Sequence, residues 1–540
     1  MGRWQRYWFA EGGRTAVAIL RIAIASSVLM TLYRLATLST VHIPGPPELY
    51  RPVGVWMLFG YLVPPDLVIT SLWVIAIAST IAMLIGISSR VSTAISFVSA
   101  LALTSGSFAS SQAWSHQYNV VFLAQLAFLG ARGGDTLSLD AWLRHRRGLP
   151  EIDVARGYQW SLRLVQLAVA LMFSGAAFHK MLHAHFTLRW ALSDNLRHQL
   201  LVRFDLADLP RPPVANWIID NVWRYRTAAM LNLVSQATPI LACIFIKRPL
   251  VRLVGGMFFV IETLALGLVV NLWNLHWLPL LAVFIDWDWA LGLVGRRPVA
   301  AELPAGWSPP RRVRIFLVAF IAYDVTTAFI PTIDQTLNTY PFSAFPMFAN
   351  VRAREPYAEH LPYSLPGDQF EAISDKPLDD HAQRWLDHMN RRLYLVTGRD
   401  EFERRLRAIL ADTQARFPAF GIHGLRHRFA IFEAPAYPAP ARFDVHPIAV
   451  MGEIGSDGVF RSVLGKLSDQ EVTLGPMHVD TTNARLEVYE NDEPTPRELT
   501  TSRTGDRFSI PKIDSDRFYI VAVIDGKPWF VATRKLWRWE

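Results

Sequence analysis

LRLVQLAVALMFSGAAFHKMLHAH, residues 162–185, opens as an apolar run and closes on His179, Lys180, His183 and His185. At 1.5 Å per residue, about 20 apolar residues span a hydrocarbon core of roughly 30 Å. The run therefore reads as a membrane-crossing helix. A lysine at membrane depth costs roughly 2.5–3.5 kcal/mol on insertion scales, so its presence asks for a reason.

The rest of the chain repeats the pattern. Its 540 residues are 51% hydrophobic and 19% charged, with a mean hydropathy of +0.20, and the apolar residues are gathered into long blocks. The expected fold is a polytopic α-helical membrane bundle of about nine spans, near 16–38, 67–87, 91–111, 118–133, 159–181, 227–246, 252–272, 276–291 and 313–331. Loops retained in the cytoplasm carry the Lys and Arg excess. The N-terminus holds Arg3, Arg6 and Arg14, and alternate connections hold Arg90, then Arg144, Arg146 and Arg147, then Lys247, Arg248 and Arg252, then Arg296, Arg297, Arg311 and Arg312. This alternation predicts a cytoplasmic N-terminus and an exterior chain beyond residue 331. The formal charge of +8 is then a topology signal. No Lys/Arg stripe with interleaved aromatics falls in a soluble segment, so no nucleic-acid partner is expected.

Targeting signals are few. The first block reads as a retained signal-anchor, being too long and too arginine-bearing for a removed signal peptide. The single cysteine, Cys243, lies inside an apolar span, which excludes an exterior disulfide framework. Arginine-rich loops without disulfides or glycosylation sequons point to a bacterial inner membrane, with the C-terminal part on the periplasmic side.

Beyond the bundle (1–331) the composition changes twice. Residues 332–425 read as a Pro- and aromatic-rich collar, NTYPFSAFPMFANVRAREPYAEHLPYSLPG, with amphipathic helices near 377–395 and 400–415. Residues 426–540 carry short β-type runs such as RLEVYE and DRFYIVAVIDGKPWFVAT. In the last of these, Asp525-Gly526 between apolar runs signals a hairpin. The exterior region is thus expected to be α+β and to end in a β-sandwich-like domain.

Chemistry should sit where membrane helices carry polar groups. By this topology Lys180, His116, Arg34 and His276 share the outer depth of separate spans, while Glu262 and Asp324 lie deeper, and an ionisable residue there is a functional-site candidate. Each has a plainer reading. Lys180 can snorkel to the interface, and Glu262 and Asp324 can satisfy the bundle, Glu262 by pairing with Arg34. His179 and His183, four apart on one helical face, could hold a metal with His185. Against that, no carboxylate joins them and Lys180 adds positive charge, so no metal is expected. No phosphate-binding glycine loop, GxSxG elbow or CxxC pair occurs.

Two longer stretches carry a resemblance. WSHQYNVVFLAQLAFLGARGGDTLSLDAWLRHRR (114–147) and LRLVQLAVALMFSGAAFHKM (162–181) resemble the HTTM family, the bacterial relatives of vitamin K-dependent γ-carboxylase. GDTLSLDAW is the most specific piece, and ELYRPVGVW and NLHWLPLLAVFIDWDW are weaker echoes. The likeness covers about 15–295. It implies that Lys180 is the base that deprotonates a reduced quinone of the vitamin K type, with His116 as its orienting partner or acid. It also implies O2 and CO2 as co-reactants and a glutamate on an exported protein or peptide as acceptor. Where the family has glycine three residues before the lysine, this chain has Ala177, with Gly175 two earlier. The family's following tryptophan is matched by Trp190 across a longer, histidine-bearing MLHAHFTLR. The resemblance therefore implies a lysine-base, quinone-linked activity in a lipid-accessible outer pocket between spans four and five. The alternative is a non-catalytic membrane protein that binds lipid or a partner and whose polar groups satisfy the bundle.

Overall fold

The computed structural model describes residues 2–37, 46–111, 116–152, 154–205, 209–295, 308–330, 340–342, 360–390, 393, 399–468, 470–515 and 517–533. Most of the collar stretch quoted above, and Arg296 and Arg297, lie outside them. Among the described residues six helices are long and apolar enough to cross a membrane, which marks a membrane protein. They are α1 (Arg14–Thr37), α2 (Asp66–Ile85), α3 (Ser89–Ser111), α5 (Gln159–His183), α7 (Val222–Ala237, carried on by turns to Ile244) and α8 (Pro249–Val270). The intervening helices are α4 (Asn119–Phe128) and α6 (Asn195–Phe204).

Two of the nine expected stretches take shorter forms, and a third is a helix of the expected length that carries more charge. α4 has ten residues, because the backbone turns extended at Leu129. The 276–291 stretch is a ten-residue 3₁₀ helix, Leu275–Phe284, whose internal Pro279 lacks the N–H an α-helix needs. α9 (Arg311–Phe329) has the length but carries Arg311, Arg312, Arg314 and Asp324.

One end of the bundle is tied by arginines. Arg21, fully buried on α1, donates to the carbonyls of Gly133 (2.7 Å), Leu137 (2.5 Å) and Leu84 (3.3 Å). Ser138 accepts from the Ala141 amide (3.0 Å), capping Leu139–Arg146, and donates to the Gly134 carbonyl (2.6 Å). Asp135 is held by Arg132 (2.8 Å) and by the Tyr158 hydroxyl (2.9 Å). Gly86, at φ +76°, closes the α2–α3 turn so tightly that a Cβ would lie 2.4 Å from Ser138. GDTLSLDAW is therefore a loop locked onto three helices.

The other end meets the C-terminal domain. β1 (Tyr363–Ser374) pairs antiparallel with β2 (Ile422–Ala434) along its whole length, so the boundary expected at 425/426 would cut a sheet. The helices between them, α10 (Asp380–Asn390) and α11 (Arg399–Arg416), fall near their expected places and belong to the same domain. The remaining strands are β3 (Asp444–Ile454), β4 (Phe460–Arg461), β5 (Lys466–Ser468), β6 (Glu471–Thr473), β7 (Arg485–Glu490), β8 (Arg497–Glu498), β9 (Ser502–Thr504), β10 (Arg507–Ser509), β11 (Phe518–Ile524) and β12 (Lys527–Thr533). The large sheet runs β1-β2-β3-β12-β11-β7-β8, with β4 beside β3, and a small sheet runs β5-β6-β10-β9.

Alternation along β11 explains the layering. Tyr519, Val521 and Val523 pack with Trp385, Leu406 and Ile409 of the helices. Ile520, Ala522 and Ile524 pack with Val472 and Phe508 of the small sheet. The domain is thus a sheet-on-sheet sandwich whose larger sheet also carries a helical layer. Asp525 and Gly526 both have positive φ, as a tight β11–β12 hairpin demands.

Arg21 generates a test. Arg21→Met leaves its carbonyls without donors, at about 1–3 kcal/mol for each buried group left unsatisfied. We expect a loss of at least about 3 kcal/mol in detergent-solubilised thermal unfolding. Arg14→Met, which removes a rim ion pair to exposed Glu151, should cost no more than about 1 kcal/mol.

Candidate functional site

Lys180 lies in the last turn of α5, 1% exposed, and its solution to burial is specific. Nζ donates to Asn232 Oδ1 and to Gln236 Oε1 (2.8 Å), and it sits 4.3 Å from the ring centroid of Trp190. The same two amides donate from their nitrogens to a single atom, Glu262 Oε1, at 2.6 Å from Asn232 and 2.9 Å from Gln236. Glu262 is likewise 1% exposed. An ammonium only donates and a carboxylate only accepts, so each amide has one orientation open to it, oxygen toward Lys180 and nitrogen toward Glu262. A buried cation and a buried anion are thereby joined across two neutral side chains contributed by α7.

The helices follow from local sequence. Asn232 and Gln236 are four residues apart, which puts both on one face of α7. Gly255 and Gly256 let α8 pack closely, since a Cβ on Gly255 would lie 3.3 Å from Ala242 and one on Gly256 would lie 2.7 Å from Phe284. Trp190 belongs to a short helical turn, Arg189–Leu192, that packs with Ala229 and Leu233 of α7. Two helical turns before Lys180, Phe173 meets Phe259 (5.3 Å) and Trp277 (5.6 Å) edge-on.

The other expected residues lie around this network. His116 opens a short 3₁₀ turn, His116–Tyr118, and is half-buried. It is not among the hydrogen-bond partners of Lys180, whose acceptors come from α7 instead. Next to it, the Gln117 carbonyl accepts from His276 Nε2 (3.0 Å) and Trp277 Nε1 (2.7 Å). Arg34 donates to the Trp273 carbonyl and to Asn274 Oδ1 (3.2 Å). The expected Arg34–Glu262 pair is thus replaced by separate partners, because Asn232 and Gln236 reach Glu262 first. Lys180 and Glu262 thus share one polar grouping, while Arg34 and His276 bond other partners.

Asp324, 3% exposed on α9, sits one turn before Ala328, and its Oδ2 makes no hydrogen bond to a described residue. His179 is fully buried and bonds the Ala328 carbonyl through Nε2 (2.8 Å). His183 is exposed and turns Nδ1 back to the His179 carbonyl (2.7 Å), and His185 is exposed beyond the helix end at φ +53°. The histidine trio considered as metal ligands is therefore split between interior and surface. Among the described residues no group of three His, Cys, Asp or Glu side chains is placed to hold a metal.

Next along the chain, a buried polar layer joins the bundle to the C-terminal domain. Asp194, 4% exposed, accepts from Tyr225 (2.6 Å) and pairs with His360 (2.7 Å). Arg197 donates to the carbonyls of Pro435 (2.7 Å) and Ala439 (3.0 Å), and His198 stacks on Tyr363 at 5.1 Å. Lys180 is thereby placed at the end of the bundle that carries the domain.

Sequence reasoning missed Asn232 and Gln236, although an Asn and a Gln four apart in a membrane-crossing helix are a readable signal. No family model matches this chain, and neither a curated protein nor a solved structure matches it.

Gln236, fully buried, serves both charges. Gln236→Leu removes an acceptor from one and a donor from the other, and we expect about 2–5 kcal/mol of lost stability, since buried partners left unpaired cost about 1–3 kcal/mol each and more when charged. Thr238→Ala, whose hydroxyl bonds only its own helix at Val234, should stay within about 0.5 kcal/mol. Thermal unfolding in nanodiscs compares them.

Proposed function

We propose that the protein is a multi-pass membrane enzyme in which Lys180 is the proton acceptor for a lipophilic weak acid of the reduced-quinone class, as the likeness to the γ-carboxylase relatives implies. The observation that carries the reading is the lysine's setting. It is buried, it is held by amide oxygens, and its countercharge stands one side chain away. A lysine in that setting keeps its nitrogen close to a carboxylate without forming a direct ion pair. Exchange of its proton with a substrate then breaks no salt bridge.

Trp190 over Nζ and the Phe173, Phe259 and Trp277 rings suit a flat, apolar ring system. A reduced quinone bound there as substrate would bring the oxygen-dependent chemistry that, in the resembled family, ends in addition of CO2 to a glutamate of an exported protein. The chain's own part is to take the hydroxyl proton at Lys180 Nζ, to hold the ring and to keep water away. His116, the other residue the resemblance assigns, enters this reading as an acid acting from the neighbouring turn. With the N-terminus cytoplasmic, the fifth expected span ends on the outer face of a bacterial inner membrane, and this reading sets Lys180 and the C-terminal domain on that side. Arg90, Arg144 and Lys247, on the opposite connections, support that orientation.

A second reading has its own support. Two sides of the Lys180 nitrogen meet amide oxygens and a third meets the Trp190 ring, so the network is fully satisfied as a structural element. In that case the protein binds lipid or a partner without catalysis.

Purified protein in lipid nanodiscs, given a reduced naphthoquinone with O2 and CO2, separates the two. The enzyme reading expects quinone epoxide from the wild type and a loss of at least about 100-fold in Lys180→Ala. A folded wild type that forms no epoxide and retains no quinone would leave the binding reading.

A further inference from the structure

The two amides carry more than packing. Lys180 and Glu262 share no direct contact, yet the same two amide side chains bridge them. Other ionisable groups on the packed elements are engaged elsewhere. His179 turns to Ala328, His276 to Gln117 and Arg226 to Asp194, while Asp324 lies on α9. We propose that Lys180, Asn232, Gln236 and Glu262 form one protonic unit in which Glu262 is the positioning residue. Its charge sets how readily Lys180 holds a proton, and its acceptor oxygen keeps both amides turned so that they offer oxygen to Nζ. This inference rests on the reading of Lys180 as a base and adds the group that regulates it.

The geometry makes the assignment. Both amide nitrogens converge on one carboxylate atom, so a single side chain aligns two bridges. With that atom gone, each amide is free to turn and present N–H to the lysine, which then has fewer acceptors. In its free-amine form beside the Glu262 carboxylate, Lys180 accepts a substrate proton, and the unit passes from net negative to the neutral ammonium–carboxylate state. The proton sits on Nζ, the negative charge stays on Glu262, and no further co-reactant is needed.

The chain has seven lysines, few enough for side-chain nitrogen-15 NMR of lysine-labelled protein in nanodiscs, with the Lys180 signal assigned by its loss in Lys180→Met. Removing the carboxylate charge disfavours the ammonium. Glu262→Gln should lower the ammonium-to-amine ratio of Lys180 at least tenfold at fixed pH, moving its transition to lower pH, and Glu262→Asp should restore part of the shift. Asn232→Leu, on the half-buried leg, should give a smaller change in the same direction and serves if Glu262→Gln does not fold. A Lys180 transition that is the same in wild type and in the folded variants overturns the proposal. The signal does not depend on turnover, so a shift without epoxide formation keeps the coupling and removes the enzyme reading.

Discussion

A charge in an apolar bundle has to be compensated where it stands, and Lys180 with Glu262 is where this chain meets that constraint. Each charge alone would bear a desolvation cost of several kcal/mol. A direct pair would offset part of it, but the chain uses an Asn and a Gln from a third helix as insulators and connectors. The consequence is structural as well as electrostatic. α5, α7 and α8 are held in one register by four side chains, and Trp190 is placed over the lysine. Whatever the protein does at this depth, it does beside a lysine anchored by two amides that a buried carboxylate holds in turn.

The same logic organises both ends of the bundle. At one, Arg21 spends its donors on backbone carbonyls and fastens the GDTLSLDAW loop to α1 and α2. At the other, Asp194 and Arg197 fasten the C-terminal domain through Tyr225, His360 and the carbonyls of residues 435 and 439. Buried polar groups bonded from one element to another join elements that apolar packing alone would leave free to slide. The domain's first strand, stacked through Tyr363 on His198, continues that contact into the large sheet.

Much of this was legible from residues. Hydropathy found the long helices because their length is a property of local composition, and Asp525-Gly526 announced its hairpin because positive φ is a local demand. The short forms of 118–133 and 276–291 were less legible, since an apolar run does not reveal where a backbone turns extended or how Pro279 reshapes a helix. The boundary at 425/426 missed because β1 finds its partner across two intervening helices, a pairing that no periodicity encodes. Lys180 and Glu262 stood out as charges in oil, yet their link did not. It depends on which faces α5, α7 and α8 turn to one another. The Arg34–Glu262 pair was expected from the need to compensate charge inside the bundle and the Lys180–His116 partnership from the resemblance, and neither says anything about rotation around a helix axis. Asn232 and Gln236 were the overlooked clue, two amides four apart on one face of a membrane-crossing helix.

The most direct measurement is a double-mutant cycle on the two charges, with unfolding free energies of wild type, Lys180→Met, Glu262→Met and the double variant measured in the same lipid or detergent. Each single variant strands a buried charge and should cost about 3–5 kcal/mol. The account predicts that the double variant costs less than the sum by at least about 1 kcal/mol, because removing both leaves no charge stranded. Strictly additive losses would contradict it, and Lys180 and Glu262 would then be independent residues that happen to touch the same two amides.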